Sequence, residues 1–143
     1  MDVINEVEPS DPAQMAQMAE EGPPGPIFMV NLLRFREKAA YEDGRPTDLT
    51  GREAYTLYAT EVVKLVAEYG GSFVFAGDVT FLALGQVEEL WHEVAIVSYP
   101  NRNALLRMAM SEKWSEIAVH RKAGLEGQLN IETVLPPHAK NRA

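Results

Sequence analysis

Cysteine is absent from this 143-residue chain, which excludes disulfides, thiolate metal sites and cysteine nucleophiles together. Basic residues are scarce as well: 13 Lys and Arg stand against 21 Asp and Glu, a formal charge of −8. Phosphate neutralisation needs clustered cations, so neither nucleic acid nor an anionic membrane surface is an expected partner. No apolar run reaches the length of a membrane-crossing helix. Met1 to Asn5 lacks the basic start and apolar stretch of a secretory signal, which makes a cytoplasmic location the expectation. G-x-S-x-G, a phosphate loop and a dinucleotide fingerprint are all missing. The three histidines, His92, His120 and His138, lie far apart with no HxH or HExxH spacing and no carboxylate-rich loop. No metal and no cofactor are therefore expected. His120 as a lone axial ligand is the one route to a haem, and nothing in the sequence favours it.

What is present is an ordinary globular composition, 46% apolar and 24% charged, long enough for one domain with a real core. Residues 1–26 read as an N-terminal arm. Ser10 or Asp11 caps a short helix there, with Pro12 in its first turn, and Gly22-Pro23-Pro24-Gly25-Pro26 ends it. Residues 27–135 read as the folded domain and 136–143 as a polar, frayed tail.

Within the domain, Ile27 to Phe35 is a strand and Arg36 to Leu49 a long polar loop, a candidate lid or pocket rim whose commoner role is mobile surface decoration. Thr50-Gly51-Arg52-Glu53 is a capping box. The helix behind it carries Tyr55, Tyr58, Ala59, Val62 and Val66 at helical spacing and stops at Gly70-Gly71. Ser72 to Leu84 reads as a long second strand with a bulge or bend at Gly77-Asp78. Trp91 to Tyr99 is a third strand. Asn101 caps another helix, Ser111 restarts it, and Gly124 closes it before a final strand from Gln128 to Val134. The order β-α-β-β-α-β is the ferredoxin-like pattern: α+β, a four-stranded antiparallel sheet with two main helices on one face.

Those helices cover one face only, yet both faces of the sheet are apolar. Strand one shows Phe28, Val30 and Leu32 on one side and Ile27, Met29 and Leu33 on the other; Val94 and Ile96 oppose Ala95 and Val97 in strand three. An antiparallel sheet facing water should carry polar residues on that face. The expectation is a homodimer with sheets packed face to face.

Asn31-Leu32-Leu33-Arg34-Phe35, Gly51-Arg52-Glu53-Ala54-Tyr55 and Gly70-Gly71 resemble the family known as domain of unknown function 1330, within the dimeric α+β barrel superfamily. Trp91, Val94, Tyr99-Pro100-Asn101-Arg102 and His120-Arg121-Lys122-Ala123-Gly124-Leu125 continue the resemblance, which spans about Ile27 to Val134. Asn101 stands where a serine-type cap is common, and His92 where an acidic residue often follows the tryptophan. The resemblance implies the ferredoxin-like fold and the dimer, and no established reaction. More distant barrel relatives place small, often aromatic ligands between sheet and helices, an analogy at the level of fold.

Candidate site residues follow from residue chemistry. Asn31 is an amide in the middle of an apolar strand, able to orient a carbonyl or stabilise an enolate, or else to tie the strand to a neighbouring backbone. His120 is the best general acid/base, set against an ordinary role as a cation at a helix C-terminus. Arg34 fits a substrate carboxylate, with ion pairing across the dimer or exposure to solvent as the alternative. Tyr55, Tyr58, Trp91 and Trp114 are candidate pocket walls whose plainer role is core packing. Asp78 after Gly77 is turn chemistry before it is a base, and Glu88-Glu89 a solvated turn. The resulting expectation is a small-molecule-binding homodimer. As an enzyme it would perform cofactor-free proton transfer (isomerase, lyase or oxygenase-like) on a small aromatic or carboxylated substrate. The alternatives are a non-catalytic ligand-binding or regulatory module, and a structural dimer whose arm mediates contacts. The direction of the His120 side chain separates them.

Overall fold

The computed structural model describes residues 3–142; Met1, Asp2 and Ala143, at the ends of the expected arm and tail, lie outside the described residues. A short helix α1 (Pro12–Met18) precedes β1 (Ile27–Phe35), α2 (Gly51–Glu68), β2 (Ser72–Asp78), β3 (Glu93–Tyr99), α3 (Arg102–Ala109), α4 (Glu112–Gly124) and β4 (Leu125–Thr133). The four strands form one antiparallel sheet in the order β2-β3-β1-β4, the ferredoxin-like arrangement.

Local chemistry accounts for the element ends. Thr50 accepts from the Glu53 N–H while Glu53 reaches back to the Thr50 N–H, so the capping box satisfies two orphan donors at the start of α2. Gly70, at φ 82°, supplies the left-handed residue just past its end. Asn101 and Ser111 cap α3 and α4. Where α2 and α4 meet, the backbones touch: a Cβ on Gly51 would lie 2.7 Å from the Gly124 carbonyl oxygen, and one on Gly124 2.3 Å from that of Gly51. Only glycine fits at that crossing.

Ile27, Met29, Val97 and Tyr99 from the sheet pack against Tyr58, Val62, Leu65 and Val66 of α2 and Ala104, Leu105 and Met108 of α3. The helices therefore cover the face that carries the odd-numbered β1 residues. The opposite face carries Phe28, Val30 and Leu32 beside Val94 and Ile96, all partly exposed, with Phe75 at 54% and Ile131 at 46%.

Several strand bounds need correction, and the third strand begins at Glu93 rather than Trp91. The second strand ends at Asp78 rather than Leu84. A strand exists only as far as its ladder partner does, and beyond β3 the chain 79–92 keeps one rung, Val79 N–H to the His92 carbonyl. The register shift lies between Phe73 and Phe75, not at Gly77-Asp78, so Val74 is the extra residue. Gly77 serves a different end: a Cβ there would sit 2.7 Å from the Phe75 ring, which lies across it. β4 begins at Leu125, three residues before Gln128, directly from the end of α4. Pro137–Arg142 forms a 3-10 turn where a frayed tail was expected.

Candidate functional site

The amide of Asn31 faces the helices from the middle of β1 and is held from three sides. Its Nδ2 donates to the carbonyls of Met29 and Ala95, both at 3.2 Å, and its Oδ1 accepts from Gln128 Nε2 at 2.7 Å. Gln128 in turn accepts at Oε1 from Arg121 Nη2 (2.6 Å) and Nε (3.2 Å), and Arg121 Nη2 also donates to the Val7 carbonyl. A buried amide relay thus runs from the sheet interior to the guanidinium of α4, each polar group satisfied by the next. The arm helps to fix it: Glu6 and Gln128 exchange both backbone hydrogen bonds at 3.2 Å.

Arg121 opens onto a groove of about 360 Å³ between α4 and the loop that follows β1. Trp114, Ala118 and Val119 give it apolar walls, Tyr41 forms its rim, and Lys122 sits at its mouth. Lys122 is neutralised by Glu8 at 2.9 Å and Glu42 at 2.7 Å, which hold its ammonium above the ordinary range. Asp43 is forked by Arg45, which brings its carboxyl down to about 2. Arg121 differs: its acceptors are a side-chain amide and a backbone carbonyl, and among the described residues it has no carboxylate partner. Its guanidinium lies 5.9 Å from the Trp114 ring.

The loop is tied down by Ala39 N–H to the Leu49 carbonyl and Ala40 N–H to the Ala123 carbonyl, with Ala39 buried against Ala54 and Ala123. That anchoring delivers Tyr41 to His120, whose Nδ1 lies 2.7 Å from the phenolic oxygen with the rings edge to face. His120 points at this tyrosine, neither into the sheet nor freely to solvent.

The structure brings some sequence-selected residues together and leaves others apart. Trp114 lines the groove and donates its Nε1–H to Tyr58 Oη at 3.2 Å. Tyr55 packs between Phe35 and Tyr58, ring centroids 5.3 and 5.4 Å away. Burial pushes both phenols up from their ordinary range, so they remain protonated at neutral pH and do not serve as bases. Asn31 reaches the groove only through Gln128 and Arg121, and His120 through Tyr41; the two do not meet. Arg34 projects from the other side of β1, donates to the Leu90 carbonyl and lies 3.5 and 3.7 Å from Glu89 and Glu126. Trp91 sits partly buried just before β3 and lines neither this groove nor the one at that end of the sheet.

Tyr41, Arg121 and Gln128 were not selected from sequence. Arg121 read as a helix-end cation and Gln128 as a strand start, while Tyr41 lay in a polar loop without periodicity to place it. Among the described residues, no three His, Asp or Glu side chains cluster as a metal site would require. None of the helices is long and apolar enough to cross a membrane.

A family model described as domain of unknown function (DUF1330) matches residues 45–133, more than half of the chain. The crystal structure of RPA0582, a protein of unknown function from Rhodopseudomonas palustris, is similar at 31% identity. The match covers 94% of this chain and 100% of that one, with a TM-score of 0.81. The methylated form of RPA0582 aligns at 34% identity over 93% and 97% of the two chains, TM-score 0.82. At the level of fold alone, a hydroxynitrile lyase from Passiflora edulis is similar: 10% identity, 80% of this chain, 97% of that one, TM-score 0.55. No curated protein matches.

Proposed function

We propose, for a chain that belongs to the DUF1330 family, that it is a homodimeric small-molecule-binding protein whose α4 groove takes a small aromatic carboxylate. The observation that carries this reading is Arg121: a guanidinium oriented from behind by Gln128 and Asn31, without a carboxylate partner, beside an indole on the groove's apolar wall, while the lining carboxylates Glu8 and Glu42 are held by Lys122 and Asp43 by Arg45. Few well-placed polar groups among apolar walls are what fixes a small ligand's orientation. The planar fork of arginine matches a carboxylate, and Trp114 with Ala118 offers a surface for a ring. In this reading Asn31 is a positioning residue, acting on the ligand through Gln128 and Arg121. The groove's volume, about 360 Å³, suits a one-ring acid.

The second part of the proposal is the assembly. Phe28, Val30, Leu32, Val94 and Ile96 make a contiguous apolar face that the chain's own helices leave uncovered, and the same face of a second copy is its natural cover. A cytoplasmic setting is part of the same proposal and has the cysteine-free composition as its support.

An enzymatic reading is favoured by one observation, the Tyr41–His120 pair at the groove's rim. A phenol hydrogen-bonded to an imidazole can relay a proton to or from a bound acid's α-carbon without a cofactor. The hydroxynitrile lyase of similar fold gives this reading company, not evidence.

Calorimetric titration with benzoate, phenylacetate and their neutral amides tests the binding reading. Saturable binding of an acid, absent for its amide and abolished in Arg121→Gln, is the expected result. Equal binding of acid and amide, or binding untouched by Arg121→Gln, sinks it. Sedimentation of the wild type against Ile96→Lys tests the assembly, and a monomeric wild type would end the dimer reading. Exchange of α-deuterium from a bound acid, lost in both Tyr41→Phe and His120→Gln, would distinguish enzyme from binding module.

A further inference from the structure

The segments Arg34-Phe35 and Gly51-Arg52-Glu53 are not used by the α4 groove, yet they converge elsewhere. The end of β1, the start of α2, the residue before β3 and the start of β4 meet around an open groove of about 480 Å³. Arg34, Arg36, Arg52 and His92 line it, with Phe35 between them.

The aromatic centre is pre-organised. His92 Nδ1 accepts the Phe35 N–H at 2.9 Å, so in the neutral ring the proton sits on Nε2. The imidazole stacks on Phe35 at 5.9 Å and 19°, and the Arg52 guanidinium lies 4.5 Å from the centroid of the same ring. His92 Nε2 has no partner among the described residues and remains an available donor. Arg36 spends its Nε on the Leu125 carbonyl at 3.1 Å, and its two Nη groups are free.

The surrounding charges decide what such donors would hold. Arg52 is paired with Asp78 at 2.9 Å and lies 3.5 Å from Glu93. Arg34, 14% exposed, has Glu89 and Glu126 only at 3.5 and 3.7 Å, and its buried Nε has no hydrogen-bond acceptor. Glu37 and Glu126 also line the groove, both exposed, with Glu126 3.7 Å from Arg34. Arg34 is thus the least exposed charge of the groove, while Arg36 shares the exposed rim with the two glutamates. We propose that this groove is a second ligand site, for a small oxyanion (a carboxylate or a phosphate monoester) held by the Arg36 fork and the His92 Nε2–H. Arg34, whose nearest carboxylates stand at 3.5 and 3.7 Å, adds positive charge beside it, and Arg52 lies behind, paired with Asp78. The site is independent of the α4 groove and stands or falls separately.

The Phe35 amide, hydrogen-bonded to His92, is a built-in reporter. Acetate and methyl phosphate would each be titrated into ¹⁵N-labelled protein in phosphate-free buffer, at constant ionic strength set with chloride. Expected are saturable shifts confined to Phe35, Arg36 and the His92 ring, weakened about tenfold in Arg36→Gln and in His92→Gln, the loss of one charged hydrogen bond. Arg121→Gln should leave them unchanged. Saturation by only one probe identifies the oxyanion class. Shifts that never saturate, that chloride reproduces, or that persist in both variants overturn the site. Because Arg36 is exposed, its variant should fold, and unchanged amide shifts elsewhere would verify this.

Discussion

The two faces of the sheet differ in how completely they are used. Toward the helices, Ile27 and Leu33 are fully buried, and the polar groups among them, Asn31 and Gln128, are hydrogen-bonded end to end. On the other side, side chains of similar hydrophobicity stay partly exposed, with no polar residue among Phe28, Val30, Leu32, Val94 and Ile96. The comparison teaches that burial, not composition, separates a core face from an uncovered one. The inner face holds the monomer together, and the outer face has its free energy still to gain.

The sharpest way to break this contrast is to damage each face in turn. Leu33→Ala, on the inner side, should lower unfolding free energy by about 2–5 kcal/mol, because a fully buried leucine leaves a cavity. Ile96→Lys, one ladder position from inner-face Ala95 and Val97 but on the opposite side, should leave a folded monomer by circular dichroism and remove the dimer by sedimentation. If Ile96→Lys unfolds the chain as Leu33→Ala weakens it, the two faces are not different in kind.

Asn31→Ala probes the polar part of the inner face. It strips Gln128 Nε2 of its acceptor and should lower stability by about 1–3 kcal/mol in urea unfolding, while loosening Arg121 in the α4 groove. Smaller is the effect expected at the inner face's margin. There Arg102 forks Glu132 at 2.8 and 2.7 Å and also donates to the Gln17 carbonyl, tying α3 to β4 and α1. Glu132→Gln should lower stability by about 1–2 kcal/mol at neutral pH. The Arg102 hydrogen bonds hold the Glu132 carboxyl below its ordinary 4.5. Its contribution is therefore complete above that value and is lost as acidification protonates the folded form. The variant and the wild type should converge in acid.

The smallest expected effect is a slope. Burial, then Arg34 and Arg52, hold the His92 imidazole below its ordinary 6.5. Below that pH the unfolded chain takes up a proton that the folded chain refuses, so stability declines as pH falls. Denaturation midpoints measured against pH should show this decline in the wild type and a flatter profile in His92→Gln.

Helix starts, helix ends and the order of elements along the chain were legible because their causes are local. A capping box spans four residues, a glycine stop one or two, and alternation along β1 is visible in nine. The apolar outer face was legible for the same reason. Where a local signal lacked its partner, the expectation overshot: Thr80 to Leu84 is as apolar as a strand, but past the Val79 rung no neighbour among the described residues pairs with it.

Of the candidate site, the sequence by itself marked side chains with usable chemistry, Asn31, Arg34, His120, Tyr55, Tyr58, Trp91 and Trp114, and passed over Tyr41, Arg121 and Gln128. Tertiary structure alone decided their company. Tyr41 meets His120 across 79 residues, Gln128 meets Asn31 across 97, and His92 takes the Phe35 N–H across 57. Periodicity reports a residue's face on its own element. It carries no information about which distant element closes against that face, and hydrogen bonds between elements form only where packing of the whole chain brings them within reach.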